Sequence, residues 1–208
     1  YEESMVEEWE NGYKNALKEK DKFTLQKIYG EVSRYAERGN AQAINMLAIF
    51  AYLEQKNKAK VVRLFHEAGK TGYSTAKRNL SFIKTQGVLC KKNVDMAREL
   101  LEESANEGND KSIFYLALEH LGITQNLEYT FMDRKKAYFL LRQYLQKVAP
   151  LDMKNDDHRQ ALYLLYKTGY ELELDMGAER SLASLNLLFQ YPGKYTEELL
   201  NCLEENNA

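Results

Sequence analysis

The sequence predicts an all-α protein, an α/α superhelical solenoid of about four to five antiparallel helix pairs, and three observations carry the prediction. The first is a repeat. Gly39, Ala43, Leu47 and Ala48 recur as Gly72, Ala76, Leu80 and Ser81, and again as Gly108, Ser112, Leu116 and Ala117. The offsets from the glycine are +4, +8 and +9 each time, and the glycines stand 33 and then 36 residues apart. A period of that length marks stacked helical hairpins. The second is punctuation: two prolines and eleven glycines in 208 residues are too few for a turn-rich β fold. The third is composition, since 44% hydrophobic residues suffice for a core, while no run approaches the ~20 apolar residues needed to cross a bilayer.

Each element follows in order, with residues 1–208 read as a single repeat domain. Residues 1–38 form an N-terminal helix pair. Its first helix, 3–20, carries Val6, Trp9, Tyr13 and Leu17 about one turn apart, and Trp9 is expected against the next helix. The second, 22–37, turns Leu25, Ile28, Tyr29, Val32 and Ala36 inward. Repeat units follow at 39–71 (helices 40–53 and 58–69), 72–107 (73–86 and 93–106), 108–147 (109–121 and 132–147) and 157–190 (157–168 and 177–190). A capping helix, 196–206, closes the array, with Thr196 as its expected N-cap after Pro192-Gly193.

The repeated positions have a packing rationale. Ala36-Glu-Arg-Gly39, Gly69-Lys-Thr-Gly72 and Ala105-Asn-Glu-Gly108 end three helices, each with a small residue three before the glycine. Small side chains let helix backbones approach, and the glycine can take a positive φ to end the helix. Gly39, Ala43, Leu47, Gly72, Ala76, Leu80, Gly108, Ser112 and Leu116 are therefore structural positions.

The same residues resemble the Sel-one-like repeat (SLR), a relative of the tetratricopeptide repeat. Ala76 to Leu80, Gly87-Val88, Asn93 to Ala97 and Ala105 to Gly108 resemble one full unit. Ser112 to Leu116, Gly122-Ile123 and Asp133 to Ala137 resemble the next, which lacks the closing glycine. A last unit keeps Ala161, Leu165, Tyr166, Gly169 and Asp175 out of strict register, and the resemblance covers roughly residues 25–190. Residues 122–132 and 148–157 read as insertions. The resemblance implies a right-handed superhelix with a concave groove and a non-enzymatic adaptor or scaffold that binds a protein partner through the groove and the inserted loop Pro150 to Asp157. It also admits a bacterial immunity protein that neutralises a toxin effector, the acidic end meeting a basic toxin cleft; an envelope protein is another partner class it suggests.

Catalytic chemistry is not legible. His66-Glu67 begins like a zinc-protease helix, but Lys70 stands where the second histidine belongs, and His120 and His158 have no ligand-spaced neighbours. Gly69-Lys70-Thr71 lacks the earlier glycine of a phosphate loop, because position 64 is Leu64. Glu102-Glu103, Glu197-Glu198 and Glu204-Glu205 read as solvated carboxylates, and the sequon Asn79-Leu80-Ser81 falls inside a packed helix. No catalytic residue, metal ligand or cofactor is assigned, and an α-helical hydrolase is the weaker alternative. Cys90 and Cys202 stand in different contexts, Cys202 on one helical face with Leu199 and Leu203, and form no disulfide framework. The chain opens at Tyr1 without a leader, compatible with a cytoplasmic or a periplasmic location.

Two features point to binding. Net charge is −2, yet residues 169–208 carry two basic residues against eight acidic ones, leaving +4 on the rest. Basic residues recur where second helices start: Lys56, Lys58 and Lys60, then Lys91 and Lys92, then Arg134, Lys135 and Lys136. Equal phase in a solenoid means one edge, so these predict an electropositive ridge for an acidic partner surface; exposed helix starts rich in lysine are the plainer reading. Interleaved glutamates and the near-neutral total speak against nucleic acid. The second feature is aromatic. Of fifteen tyrosines, Tyr115, Tyr138, Tyr144, Tyr163, Tyr166 and Tyr170 cluster in the third and fourth units, and half of them are expected on the concave face as contact residues.

Overall fold

The computed structural model describes residues 2–123, 132–172, 186–191 and 193–205. Among them every regular element is helical, and the helices group into two compact units, Tyr1–Asn109 and Asp110–Ala208.

The first unit holds α1 (Glu2–Glu19), α2 (Lys22–Glu37), α3 (Ala41–Leu53), α4 (Lys58–Lys70), α5 (Ser74–Gln86) and α6 (Val94–Asn106). Each packs on the next, and α1 also packs on α3. Local chemistry starts and stops them. Asp21, Asn40, Asn57 and Asn93 each accept, through the side-chain oxygen, the backbone N–H three residues on, which satisfies an otherwise orphaned donor. At the other end Gly39, Gly72 and Gly108 take φ of +81°, +96° and +88°. Behind them the N–H groups of Asn40, Tyr73 and Asn109 reach back to Tyr35 O, Ala68 O and Ser104 O at 3.1 to 3.2 Å. The three repeat glycines thus close three equivalent left-handed caps, as their spacing predicts.

The packing bears out the small-residue seam. Ile44, Ala68 and Ala76 form one buried cluster, with Ala36, Leu64 and Tyr73 against it. A methyl at Gly69 would lie 3.2 Å from Lys77 Cγ and 3.8 Å from its backbone nitrogen, so α4 and α5 approach closely there. Ala48, Ala51, Val61, Phe65, Leu80 and Ile83 form a second cluster across α3, α4 and α5. Polar rungs connect successive repeats. Asn79 Nδ2 donates to Asn45 Oδ1 at 3.2 Å, and Ser104 Oγ to Ser74 O at 2.7 Å. Lys77 meets Glu103 at 3.1 Å and also pairs with Glu107, which raises its pKa, the Glu107 hydrogen bond being the largest cause.

The N-terminal pair is built on aromatics. Trp9 and Tyr13 are buried with Val32, Met46 and Phe50. Trp9 Nε1 donates to Glu31 on α2 at 3.2 Å, and the Tyr13 ring stacks on Phe50 with centroids 3.7 Å apart. Burial, helped by Glu54, pushes the Tyr13 phenol well above its ordinary range. Tyr29 departs from its inward expectation and is 38% exposed. It lies about 100° round α2 from Ile28, off the stripe that Ile28 and Val32 already fill, and Lys56 Nζ stands 5.8 Å from its ring centroid.

The second unit holds α7 (Asp110–His120), α8 (Arg134–Val148), α9 (Asp156–Glu171), a helical segment at 186–190 and α10 (Lys194–Glu205). α7 packs on α8, α8 on α9, and α9 on α10. Its core is aromatic: Phe114 stacks on Tyr144 with centroids 4.9 Å apart, and Tyr163 on Tyr195 at 5.5 Å. Burial of Tyr144, with Asp157 and Asp110 nearby, raises its phenol pKa. With no closing glycine, α8 ends at Ala149 in extended geometry and leaves through a cis bond to Pro150. The connector that follows is pinned by buried Met153 and by His158 Nδ1, which accepts the Asp152 N–H at 3.0 Å. Asn155 caps α9.

Thr196 is not the N-cap of the last helix. α10 begins at Lys194, and the buried Thr196 hydroxyl instead donates to Leu188 O at 3.0 Å, tying α10 to the segment before it. Most of the expected insertion 122–132, the start of the expected helix 177–190, Asp175 and Pro192 lie outside the described residues, as does the side chain of Cys202.

Candidate functional site

The surface with the most chemistry in the first unit is the outward face of α4. Asn57 caps this helix, so Lys58 enters at its first turn, and Arg63, His66, Glu67 and Lys70 follow on the exposed side while Val61, Phe65 and Ala68 are buried. Beside it runs the connector from α5 to α6. Gly87 turns it at φ +70°, and a Cβ there would meet Lys92 Cβ at 3.0 Å. Asn93 N–H donates to Lys84 O at 2.9 Å. Leu89 and Cys90 then pack toward the Val61 and Phe65 cluster, and Lys58 Nζ donates to Val88 O at 3.2 Å, tying the connector to α4.

Between helix and connector lies an open groove of about 750 Å³. Ala59, Val62, Leu89 and Cys90 make its apolar floor. Lys58, Arg63 and Lys70 line it against one carboxylate, Glu67. Among the described residues, Arg63, Glu67 and Lys70 form no ion pair. Burial there is shallow, so the field of these side chains reaches solvent.

The second unit carries a smaller counterpart. Asp133 caps α8 by accepting Lys136 N–H at 2.9 Å, and Arg134, Lys135 and Lys136 are exposed in the first turn. Arg134 pairs with Glu171 at 3.3 Å. A shallow hollow of about 430 Å³ opens beside Lys135, Lys136 and Phe139, whose ring is 50% exposed. Counted from the capping residue, the second, sixth and tenth positions line both grooves: Ala59, Arg63 and Glu67 on α4, and Lys135, Phe139 and Gln143 on α8. On α6 the same phase carries Asp95, Glu99 and Glu103. One helix phase therefore presents three different surfaces.

The residues expected to bind separate into two groups. Lys91, Lys92, Arg134, Lys135 and Lys136 are exposed where second helices start, as are Lys56, Lys58 and Lys60, although Lys56 pairs with Glu54. The tyrosines divide differently. Tyr138, Tyr163 and Tyr166 are buried, with Tyr144, in the core of the second unit, which withdraws their rings from a contact surface. Tyr115 is half-buried against Phe114, and Tyr170 is 44% exposed. Arg63 and Lys70 were not singled out by sequence. Their signal is two cations seven residues apart, two helical turns on one face, beside a connector whose path the sequence does not reveal.

The histidines hold no common site. His66 borders the α4 groove, His120 is buried, and His158 supports the connector before α9. Among the described residues, no group of three or more His, Cys, Asp or Glu side chains could hold a metal ion, and no helix is long and apolar enough to cross a membrane.

No protein-family model matches the sequence, and no curated protein matches it. Solved structures do. A Sel1 repeat protein from Oxalobacter formigenes superposes with a TM-score of 0.62 at 16% identity, over 81% of this chain and 65% of its own. A protective antigen present in uropathogenic Escherichia coli strains, displaying an SLR fold, superposes with a TM-score of 0.62 at 18% identity, over 98% of this chain and 48% of its own. The fold is thus the helical-repeat solenoid of the SLR type, and the chain spans less than two thirds of the length of either structure.

Proposed function

We propose that the chain acts as one repeat domain and as a non-enzymatic protein-interaction module, an adaptor or scaffold that engages an acidic protein surface through the cations at the starts of its second helices. The observation that carries this reading is the exposure of cations at the start of a second helix in both units, Lys91 and Lys92 just before the cap Asn93 and Arg134, Lys135 and Lys136 just after the cap Asp133. Stacked hairpins of this fold are ordered before they meet a partner, so little entropy is lost on binding. The exposed Tyr170 and the half-buried Tyr115 supply aromatic contact area in the second unit.

Affinity capture from the native organism, followed by mass spectrometry, identifies the partner. Lys91→Glu, Lys92→Glu, Lys135→Glu and Lys136→Glu combined are expected to abolish that capture with the helical circular dichroism intact. Unchanged capture by the quadruple variant would refute the role of these cations.

A further inference from the structure

We propose that the groove between α4 and the 87–93 connector is a docking site for an acidic protein segment carrying an apolar anchor. The inference rests on the protein-interaction reading above and adds a location and a partner chemistry to it. Three cations, Lys58, Arg63 and Lys70, and one carboxylate, Glu67, line the α4 side of this groove. Arg63 and Lys70 have no carboxylate partner among the described residues, so both charges are open to one from outside. Elsewhere in the same unit a lysine is satisfied internally: Lys77 is gripped by Glu103 and Glu107. The contrast marks the α4 cations as charge left available.

The floor selects further. Val62, Leu89 and Cys90 are each only partly buried, a shallow apolar seat below the cations. A leucine-sized side chain would cover it while flanking glutamates or aspartates meet Arg63 and Lys70. Nucleic acid fits less well. No Phe, Tyr or Trp lines the groove to stack a base, and an apolar seat offers nothing to a sugar–phosphate chain. The groove is also built rather than incidental. Gly87 turns the connector, Lys58 clips it to α4 through Val88 O, and Leu89 and Cys90 fix its depth against the core cluster.

The test is fluorescence anisotropy with a labelled synthetic peptide of glutamate, alanine and leucine, with the leucines on one helical face. Its control is the same peptide with lysine for glutamate. The acidic peptide is expected to bind saturably and to weaken as salt rises, and the lysine peptide not to bind. Arg63→Glu with Lys70→Glu is expected to lower the affinity at least tenfold. Ala59→Tyr, which fills the floor without changing charge, is expected to lower it comparably. Both sets of substitutions fall on exposed positions, and an unaltered thermal melt checks that the fold survives. Failure of the acidic peptide to bind, loss in the charge variant but not in Ala59→Tyr, or equal binding of a labelled single-stranded oligonucleotide would each overturn the proposal. Retention by the groove variants alongside loss in the Lys91, Lys92, Lys135, Lys136 variant would overturn the groove while leaving the wider reading intact.

Discussion

The α2–α5 stretch of the first compact unit and the whole of the second use the same helix pairing and fill it in different proportions of small residues and rings. In Tyr1–Asn109, from α2 to α5, the contacts are made by Ala36, Ile44, Ala68, Gly69 and Ala76, and backbones approach until a single methyl at Gly69 would press on Lys77. In Asp110–Ala208 small residues are buried as well, Ser112, Ala117, Ala137 and Ala161, but rings are packed in beside them: Phe114, Tyr138, Tyr144, Tyr163 and Tyr166 are all buried. The difference teaches that the repeat specifies where helices cross, while side-chain volume sets how the crossing is filled. A seam of small residues fails when something is added to it; an aromatic core fails when something is taken away.

The largest expected effect is in the aromatic unit. Phe114, 1% exposed and stacked on Tyr144, should cost about 3–5 kcal/mol on truncation to alanine, read as a fall in denaturation midpoint. Next comes the seam. Ala76→Leu puts three carbons where nothing is exposed and should cost about 1–3 kcal/mol, and the same change at a solvent-facing alanine such as Ala59 should be nearly neutral. Should Ala76→Leu prove neutral and Phe114→Ala mild, the contrast between the units would vanish.

Smaller effects sharpen the turns. Gly108→Ala forces a side chain into a left-handed cap at φ +88° and should cost about 1–2 kcal/mol. Gln55 already sits in that region at φ +54°, so Gln55→Gly should be neutral or stabilise by up to about 1 kcal/mol, the reverse sign at an equivalent helix end. The smallest effect is electrostatic. Hydrogen bonds from the Thr24 side chain and then its backbone N–H hold the Asp21 carboxyl below its ordinary pKa. A depressed carboxylate contributes stability above its unfolded pKa and loses it as pH falls through the folded value. The stability gap between the wild type and Asp21→Ala should therefore be full at neutral pH and shrink under acid, as denaturant midpoints across pH would report.

Much of the fold was legible because it rests on local chemistry. Gly39, Gly72 and Gly108 announce left-handed caps, and the small residues three before them announce close crossings. What escaped was tertiary. Tyr138, Tyr163 and Tyr166 read as contact residues because a hydroxyl-bearing ring suits a surface or a core equally, and α9 is buried on so many sides that periodicity cannot choose: Ala161, Leu162, Tyr163 and Leu164 are consecutive and all buried. Thr196 has the composition of a cap but uses its hydroxyl on Leu188 across the chain. The candidate site was half legible. Lysines at helix starts show in the sequence, but the α4 groove exists only because Leu89 and Cys90 fold in beside Val62, a contact set by three-dimensional packing rather than by spacing.

The seam itself is tested most directly by a double-mutant cycle on Ala68 and Ala76, both fully buried in one cluster on the facing helices α4 and α5. Leucine at either position wedges the same crossing open, so the second substitution should cost less once the first is present. Equilibrium denaturation of Ala68→Leu, Ala76→Leu and the pair is expected to show a coupling of at least about 0.5 kcal/mol. Additivity to within about 0.3 kcal/mol would contradict a shared, close-packed seam between the helix pairs.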